Sequence, residues 1–503
     1  MTALIIHGHF YQPPRENPWT GQVDREPGAA PYHDWNERIH AECYGPNARA
    51  QIIESNQTIE RTINNYEYLS FNFGPTLLSW LETHHPQTYS RILEADRASV
   101  KTRSGHGNAI AQAYGHAILP LANERDRLTQ VVWGVADFVY RFKREPESLW
   151  LPETACDNRT LDLLIEQNLR YVILAPDQAQ RYRLSNSGEW QIVKNGEIDT
   201  SRAYRYLHRD GSGRSIAIFF YDGPSSRAIA FEKALVSSEM LVQRFKQSAS
   251  RGELVNVATD GETYGHHFKF GDLCLAHALA IEAPEAGFKI TNYGEFLDEH
   301  PAEVEVEISQ GPLGEGTSWS CAHGVSRWGR DCGCHTGGEP GWNQSWREPL
   351  RAAMNFLRDH AAARFEENGN QLFADSWQAR NASIQLLLDS GRSREEFLTN
   401  HAKGTLSMRE QARALTLLEM QRNSLLMLTS CGWFFSDLGG IETVQIMKYA
   451  ARVIDLLTQL GLPTGRNQFL DILVQAKSNR PELGNGADIY RQLVEPLMPS
   501  LTR

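Results

Sequence analysis

Residues 3–290 return again and again to short apolar, β-rich runs, and between most of them lie stretches with helical periodicity. The runs fall at 3–10, 68–72, 149–151, 171–174, 216–221, 255–259 and 288–290. The helical stretches fall at 47–64, 75–98, 124–144, 160–168, 233–249 and 273–283. Strand–helix alternation of this kind predicts a mainly parallel sheet with helices packed on it. Seven runs are enough to close into a barrel. No GxGxxG follows the first run, so an open dinucleotide-binding sheet is the weaker reading.

The pattern changes twice. Residues 180–215 are rich in Arg, Tyr, Ser and Gly and read as hairpins or a long inserted loop. Residues 310–343 are dense in Gly, Trp, Cys and His with no periodicity, a texture usually kept for function when a loop is this long. Beyond it the chain reads as helices at 348–366, 375–388, 392–401, 407–428 and 441–460, with "DSGRS" and "LGLPTG" as separators. The expected organisation is a catalytic α/β barrel at 1–309, a Gly/Trp/Cys-rich active-site loop at 310–345 and an α-helical domain at 346–503 that closes a cleft.

Composition narrows the function. Over 503 residues the net charge is −11, from 61 acidic and 50 basic side chains. That balance argues against nucleic acid as a partner and suits an uncharged substrate. No run of 18 apolar residues exists, so no membrane span is expected. The first strand starts with no basic leader or cleavage site before it. Together with seven mostly scattered cysteines, this gives a cytoplasmic location as the expectation.

In a parallel α/β barrel the reactive groups sit where strands end. The first run ends in His7-Gly8-His9, then Gln12 and two prolines. Residues two apart on a strand share a face, so His7 and His9 point the same way, toward either a polar ligand or a metal. The run at 149–151 leads through a proline to Glu153. The run at 255–259 leads to Asp260, with Glu262, Tyr264, His266 and His267 close behind. Two carboxylates at strand ends of one sheet are what glycosidic bond cleavage needs. An ordinary Asp, with a pKa of about 3.9, holds no proton at neutral pH, so the acid of the pair requires burial or a neighbouring charge. Retention requires the two carboxyl groups to lie about 5–6 Å apart.

These residues carry a resemblance. "HGHFYQPP" resembles the first signature of glycoside hydrolase family 57, "LWLPE" the third and "DGETYGHH" the fourth, in the right order; "GHGNAIAQAYGHAILPL" occupies the place of the second. The resemblance implies an incomplete (β/α)7 TIM-like barrel with an attached helical bundle. It implies retaining chemistry on α-glucans or maltooligosaccharides, by hydrolysis or by transglycosylation, with no cofactor and no metal. By match, Glu153 is the nucleophile and Asp260 the general acid/base. His7, His9, Gln12, Trp150, Asn108 and His116 are implied around the reacting sugar, Tyr264 and His266 follow the acid in the fourth signature, and Asp222 sits where the family often has a sugar-contacting Asp. Ser148 stands where the third signature usually has Gly, and the Cys/Trp-rich loop is not common to the family, so the chain reads as a divergent subfamily.

That loop, "SWSCAHGVSRWGRDCGCHTGGEPGWNQSW", offers Trp319 as an aromatic platform for a sugar face. Cys321, His323, Cys332, Cys334 and His335 leave structural zinc, a local disulfide and free thiols all open, with His323 also a possible sugar contact. "TSCGWFFSD" adds Trp433 and Asp437 as contacts from the helical domain. The competing readings of another class are a metal-dependent polysaccharide deacetylase, with His7, His9 and Asp260 as ligands, and a non-catalytic glycan-binding protein.

Overall fold

The computed structural model describes residues 1–53, 59–184, 188–250, 252–388 and 394–499. Seven parallel strands organise its first part: β1 (Thr2–Phe10), β2 (Ser70–Phe73), β3 (Ala111–Gln112), β4 (Leu149–Trp150), β5 (Tyr171–Leu174), β6 (Ser215–Phe220) and β7 (Leu254–Asp260). β1 is buried at eight successive positions from Ala3 to Phe10, the mark of a strand covered on both faces. On one side it pairs with β7 in a register that sets Ala3 opposite Leu254 and His9 opposite Asp260. On the other side β2 pairs with its second half, His7 opposite Ser70 and His9 opposite Asn72, while a further parallel strand beyond these seven, Phe288–Ile290, pairs with its start.

Neighbour contacts continue strand by strand. Phe71 of β2 bridges Ala109, β3 pairs with β4, Ser148 bridges Tyr171, and β5 pairs with β6, all parallel. Just past β6, the Asp222 N–H donates to the carbonyl of Asn256 on β7 at 2.7 Å. Because the pairings that link these strands to one another are parallel, their C-terminal ends lie on one side. A mixed group of Ala179–Leu184, Gln191–Ile192, Ala203–Leu207 and Val304–Ile308 is attached through β6; its pairings are antiparallel except that of Ala203–Leu207 with Val304–Ile308, and its hairpins match those expected from 180–215.

Three local expectations change. The helix expected at 47–64 is instead a hairpin of Ala50–Ile53 and Ile59–Ile63; Ile and Thr, stiff at χ1, favour the pleated strand over the helix. The stretch 75–98 is two helices, Pro75–His84 and Pro86–Thr102, because Pro86 has no N–H to continue the first and fits the first turn of the second. β3 is two residues long and leaves no periodicity to read. The turn expected at 389–393 lies outside the described residues.

The chain forms two compact units that interleave in sequence: Met1–Gln12, Arg25–Gln112 and Phe138–Gln310 make the first, and Pro13–Asp24, Ala113–Asp137 and everything from Gly311 onward make the second. The second is helical. Arg347–Leu372 packs against Met408–Leu426 and Arg466–Leu473, and its buried Ala353, Met354, Leu357, Ala361 and Phe365 recur at spacings of one to four along one face. Among the described residues, no helix is long and apolar enough to cross a membrane.

One buried ion pair fixes this unit. Arg380, 2% exposed, donates to Asp126 Oδ1 at 2.7 Å, Gln421 Oε1 at 3.1 Å and Thr129 Oγ1 at 2.7 Å. Asp126→Ala strands that guanidinium and is expected to cost about 3–5 kcal/mol. Asp126→Ala/Arg380→Met, which removes both charges, is expected to regain most of the loss. Chemical denaturation followed by circular dichroism checks both.

Candidate active site

The nucleophile candidate sits on an unusual piece of backbone. β4 ends at Trp150, and after Leu151 and Pro152 both Glu153 (φ +59°) and Thr154 (φ +48°) adopt left-handed conformations. Non-glycine residues avoid that region at a cost of about 1–3 kcal/mol each, and such strain persists only where neighbours impose it. Gln178, just past β5, imposes it here. Its Nε2 donates to the Thr154 carbonyl at 2.8 Å, and its Oε1 accepts from Thr154 Oγ1 at 2.9 Å and from the Ala175 N–H at 2.9 Å. The strained turn leaves Glu153 partly exposed while Thr154 is buried.

Asp260 ends β7. Its side chain is open to solvent, yet protein crowds it closely enough that loss of water is the main cause of a pKa pushed up to about 7, with the charge of Glu153 adding to it. The two carboxyl groups are therefore electrostatically coupled. Two residues on, Glu262 is 6% exposed, and its Oε1 accepts from the Tyr11 N–H at 3.0 Å and the Tyr44 hydroxyl. Burial raises its pKa to about 8, and the Asp260 charge contributes. Asp260 and Glu262 thus interact, and their protons come off as a coupled pair.

Beside them lies a hydrogen-bonded aromatic cluster. The rings of His7 and His9 both lie nearly parallel to Trp150, with centroids 4.8 and 4.9 Å away, and His9 also stacks on Tyr11 at 5.7 Å. His7 is fully buried and its pKa is lowered to about 3 by burial, so it is neutral. Asn72 fixes its tautomer. The Asn72 amide nitrogen is 2.8 Å from Gln112 Oε1 and 2.9 Å from His9 Nδ1, so its oxygen must accept, at 3.0 Å, from His7 Nε2. His7 Nδ1 then accepts from Ser70 Oγ at 3.0 Å. Both nitrogens of His7 have partners within the protein, and its ring stacks on Trp150.

Several other expected contacts have partners within the protein. Asn108 donates to the carbonyls of Tyr66 and Glu67 at 3.1 and 2.9 Å and accepts from Asn292 at 3.1 Å, clasping loops in the interior. His116 belongs to the second unit, where it is buried with Nδ1 2.6 Å from Ser430 Oγ. Asp222 is a buried helix cap that accepts from the Ser225 N–H at 2.9 Å. Tyr264 is fully buried, and its hydroxyl accepts from Thr259 at 3.0 Å. Trp433 is fully buried with Arg351 3.9 Å over its ring. Asp437 is 5% exposed and accepts from the N–H groups of Gly439 and Asn479, each at 2.8 Å, and from Ser478 Oγ at 3.0 Å.

Gln12, His266 and Trp319 remain partly exposed; His266 pairs with Glu42. His323 is exposed and faces Cys334, its Nδ1 3.5 Å from the sulfur. Asn72, Gln112 and Glu262 join these residues in the structure although the motifs do not single them out as site residues. Asn72 carried a signal: in "SFNF" the polar side chains alternate with phenylalanines on the strand beside His7 and His9.

Comparison with known proteins gives a family and a fold. A family model described as glycosyl hydrolase family 57 matches residues 3–309, and one described as a domain of unknown function (DUF3536) matches residues 342–503. Alpha-amylase 1 of Dictyoglomus thermophilum is 21% identical over 201 residues, which span 39% of this chain and 26% of that protein. The exo-type maltose-forming amylase of Pyrococcus sp. ST04 superposes with a TM-score of 0.68 at 16% identity, over 94% of this chain and 82% of that one. The GH57-type branching enzyme of Pyrococcus horikoshii gives 0.55 at 14% identity, over 100% and 98%. The 4-alpha-glucanotransferase of Thermococcus litoralis gives 0.50 at 14% identity, over 90% and 58%. At these identities the likeness is one of fold: a TIM-like α/β domain with a helical C-terminal region.

Proposed function

The chain belongs to glycosyl hydrolase family 57, and from that premise we propose that it is a retaining glycoside hydrolase of α-glucans, cutting α-1,4 linkages first and α-1,6 linkages as a second class. The observation that carries the reading is the coupled pair: an Asp260 carboxyl open to solvent yet crowded by protein, its pKa pushed up to about 7 by loss of water and by the charge of Glu153. Two carboxyl groups with divided roles are the recurring device of such chemistry. We read the seven parallel strands as the incomplete (β/α)7 barrel that places both groups at its C-terminal end.

In the first step the Glu153 carboxylate attacks the anomeric carbon, the glycosidic C–O bond breaks, and the Asp260 proton passes to the departing oxygen. This leaves a glycosyl ester on Glu153 and a carboxylate at Asp260. In the second step Asp260 removes a proton from water, the hydroxyl displaces Glu153, and both groups return to their starting states. The anomeric configuration is inverted twice and so retained. Tyr11, partly exposed, offers an aromatic face for the sugar ring, and the buried His9, Trp150 and His7 stack behind it.

A sugar hydroxyl in place of water in the second step gives transglycosylation, the activity named for two of the similar structures. A chromatographic product profile from maltooligosaccharides and amylose separates the outcomes. The proposal expects shorter oligosaccharides with a matching rise in reducing ends. A ladder of longer chains without that rise indicates transfer, new branch points indicate branching, and no turnover of any α-glucan overturns the substrate class.

A further inference from the structure

The second unit contains four side chains whose arrangement the glycoside chemistry does not use. In the loop after Gly311, the ligand atoms of Cys321, His323, Cys332 and Cys334 all lie within 4.8 Å of one another. Cys321 Sγ is 3.8 Å from Cys332 Sγ and 3.8 Å from Cys334 Sγ, and Cys334 Sγ is 3.5 Å from His323 Nδ1. We propose that these four residues bind one structural zinc ion.

The distances select the ligand. Tetrahedral zinc takes sulfur at about 2.3 Å and imidazole nitrogen at about 2.0–2.1 Å. Simple trigonometry then sets the sulfurs about 3.8 Å apart and sulfur about 3.5 Å from nitrogen, which are the separations of Cys321 from Cys332 and from Cys334 and of Cys334 from His323, the remaining pairs lying within 4.8 Å. A disulfide would draw two sulfurs to about 2.05 Å, and all of these cysteines are free thiols here. Four protein ligands fill a tetrahedron and leave no open position, so the ion is structural and not catalytic.

The surroundings fit as well. The backbone N–H groups of Arg327 and His323 are directed at the Cys321 sulfur, as a thiolate needs when it must be held in place. Zn2+ with three thiolates and a neutral histidine carries one net negative charge. Arg327 and Arg347, both buried, set positive charge beside Cys334 and Cys332, and Arg347 also donates to the Cys334 carbonyl at 2.7 Å. Gly333, at φ +77°, provides the tight turn between Cys332 and Cys334. The loop has one regular turn, Ser326–Trp328, so a metal crosslink supplies order that its backbone does not.

The test uses the full-length protein, purified anaerobically after growth with zinc. Inductively coupled plasma mass spectrometry is expected to find one zinc per chain, and X-ray absorption three sulfurs at about 2.3 Å with one nitrogen at about 2.0 Å. Cys332→Ser/Cys334→Ser is expected to lose at least nine-tenths of the metal. Should that variant fail to fold, mercurial titration of the wild-type protein serves instead: zinc is expected to leave in step with three thiols. Absence of bound metal even after anaerobic reconstitution with zinc alone would overturn the proposal. So would an intact mass two daltons low, the mark of a disulfide among these cysteines.

Discussion

Replacing Glu153 with glycine is expected to lower turnover of a maltooligosaccharide by a factor on the order of 10⁴ to 10⁶, the scale seen when an attacking group is removed from a covalent mechanism. Glycine is chosen for the backbone. Glu153 sits at φ +59°, where glycine is at home and a side-chain-bearing residue is not. The substitution therefore relaxes strain and leaves folding intact, so the loss belongs to chemistry. The space vacated by the carboxylate admits a small anion. Added azide is expected to restore part of the rate on α-maltosyl fluoride and to give the β-glycosyl azide, a single inversion. Measurement of kcat and nuclear magnetic resonance of the product check both. A glycine variant with activity within tenfold of wild type would assign the nucleophile elsewhere.

Asp260→Asn is expected to lower kcat/KM on unactivated α-glucans by about 10² to 10⁴, the usual contribution of a general acid. Substrates whose leaving group needs no proton, such as α-maltosyl fluoride, are expected to lose far less. The pH profile carries the same signature. Asp260 acts as an acid only while protonated, and its pKa is about 7, so wild-type kcat/KM is expected to fall as pH rises through 7, with that limb missing in the variant. Stability moves the other way. A carboxyl whose pKa is raised on folding, here from 3.8 to about 7, favours the folded state at low pH and loses that contribution as pH climbs through this interval. Asparagine removes the burden, so the melting temperature of the variant relative to wild type is expected to rise between pH 4 and pH 8. An enzyme that gains stability while losing rate is what a strained catalytic site predicts.

The seven parallel strands were only partly visible beforehand. Six of the apolar runs coincide with β1, β2, β4, β5, β6 and β7, because buried parallel strands are nearly continuous in apolar residues. The seventh run, Phe288–Ile290, pairs with the start of β1, whereas β3 hides inside "GHGNAIAQAYGH", too short for a period to develop. The interleaving of the units was not legible either. Nothing in composition marks Pro13–Asp24 or Ala113–Asp137 as part of the helical unit, since unit membership depends on long-range packing.

At the site, sequence located the strand ends but not the ownership of each hydrogen bond. Asn108, Asp222, Tyr264 and Asp437 are the right residue types for holding sugar hydroxyls. In the structure, backbone groups and neighbouring side chains take up their polar atoms. Glu262 was the reverse case. It read as one more polar residue in a turn, yet its burial and its hydrogen bonds to Tyr11 and Tyr44 tie it to Asp260. Such distinctions need the register of β1 against β2 and β7, which no local pattern encodes.

The claim that Glu153 forms a covalent bond to the substrate has a direct test. Incubation with a 5-fluoro-α-glycosyl fluoride, which forms the ester quickly and releases it slowly, should trap the intermediate. Digestion and tandem mass spectrometry then locate the added sugar. The account predicts the mass increment on the peptide containing Glu153, at that residue. An increment on Asp260 or Glu262 would contradict it, as would turnover of the reagent with no labelled carboxylate at any time point.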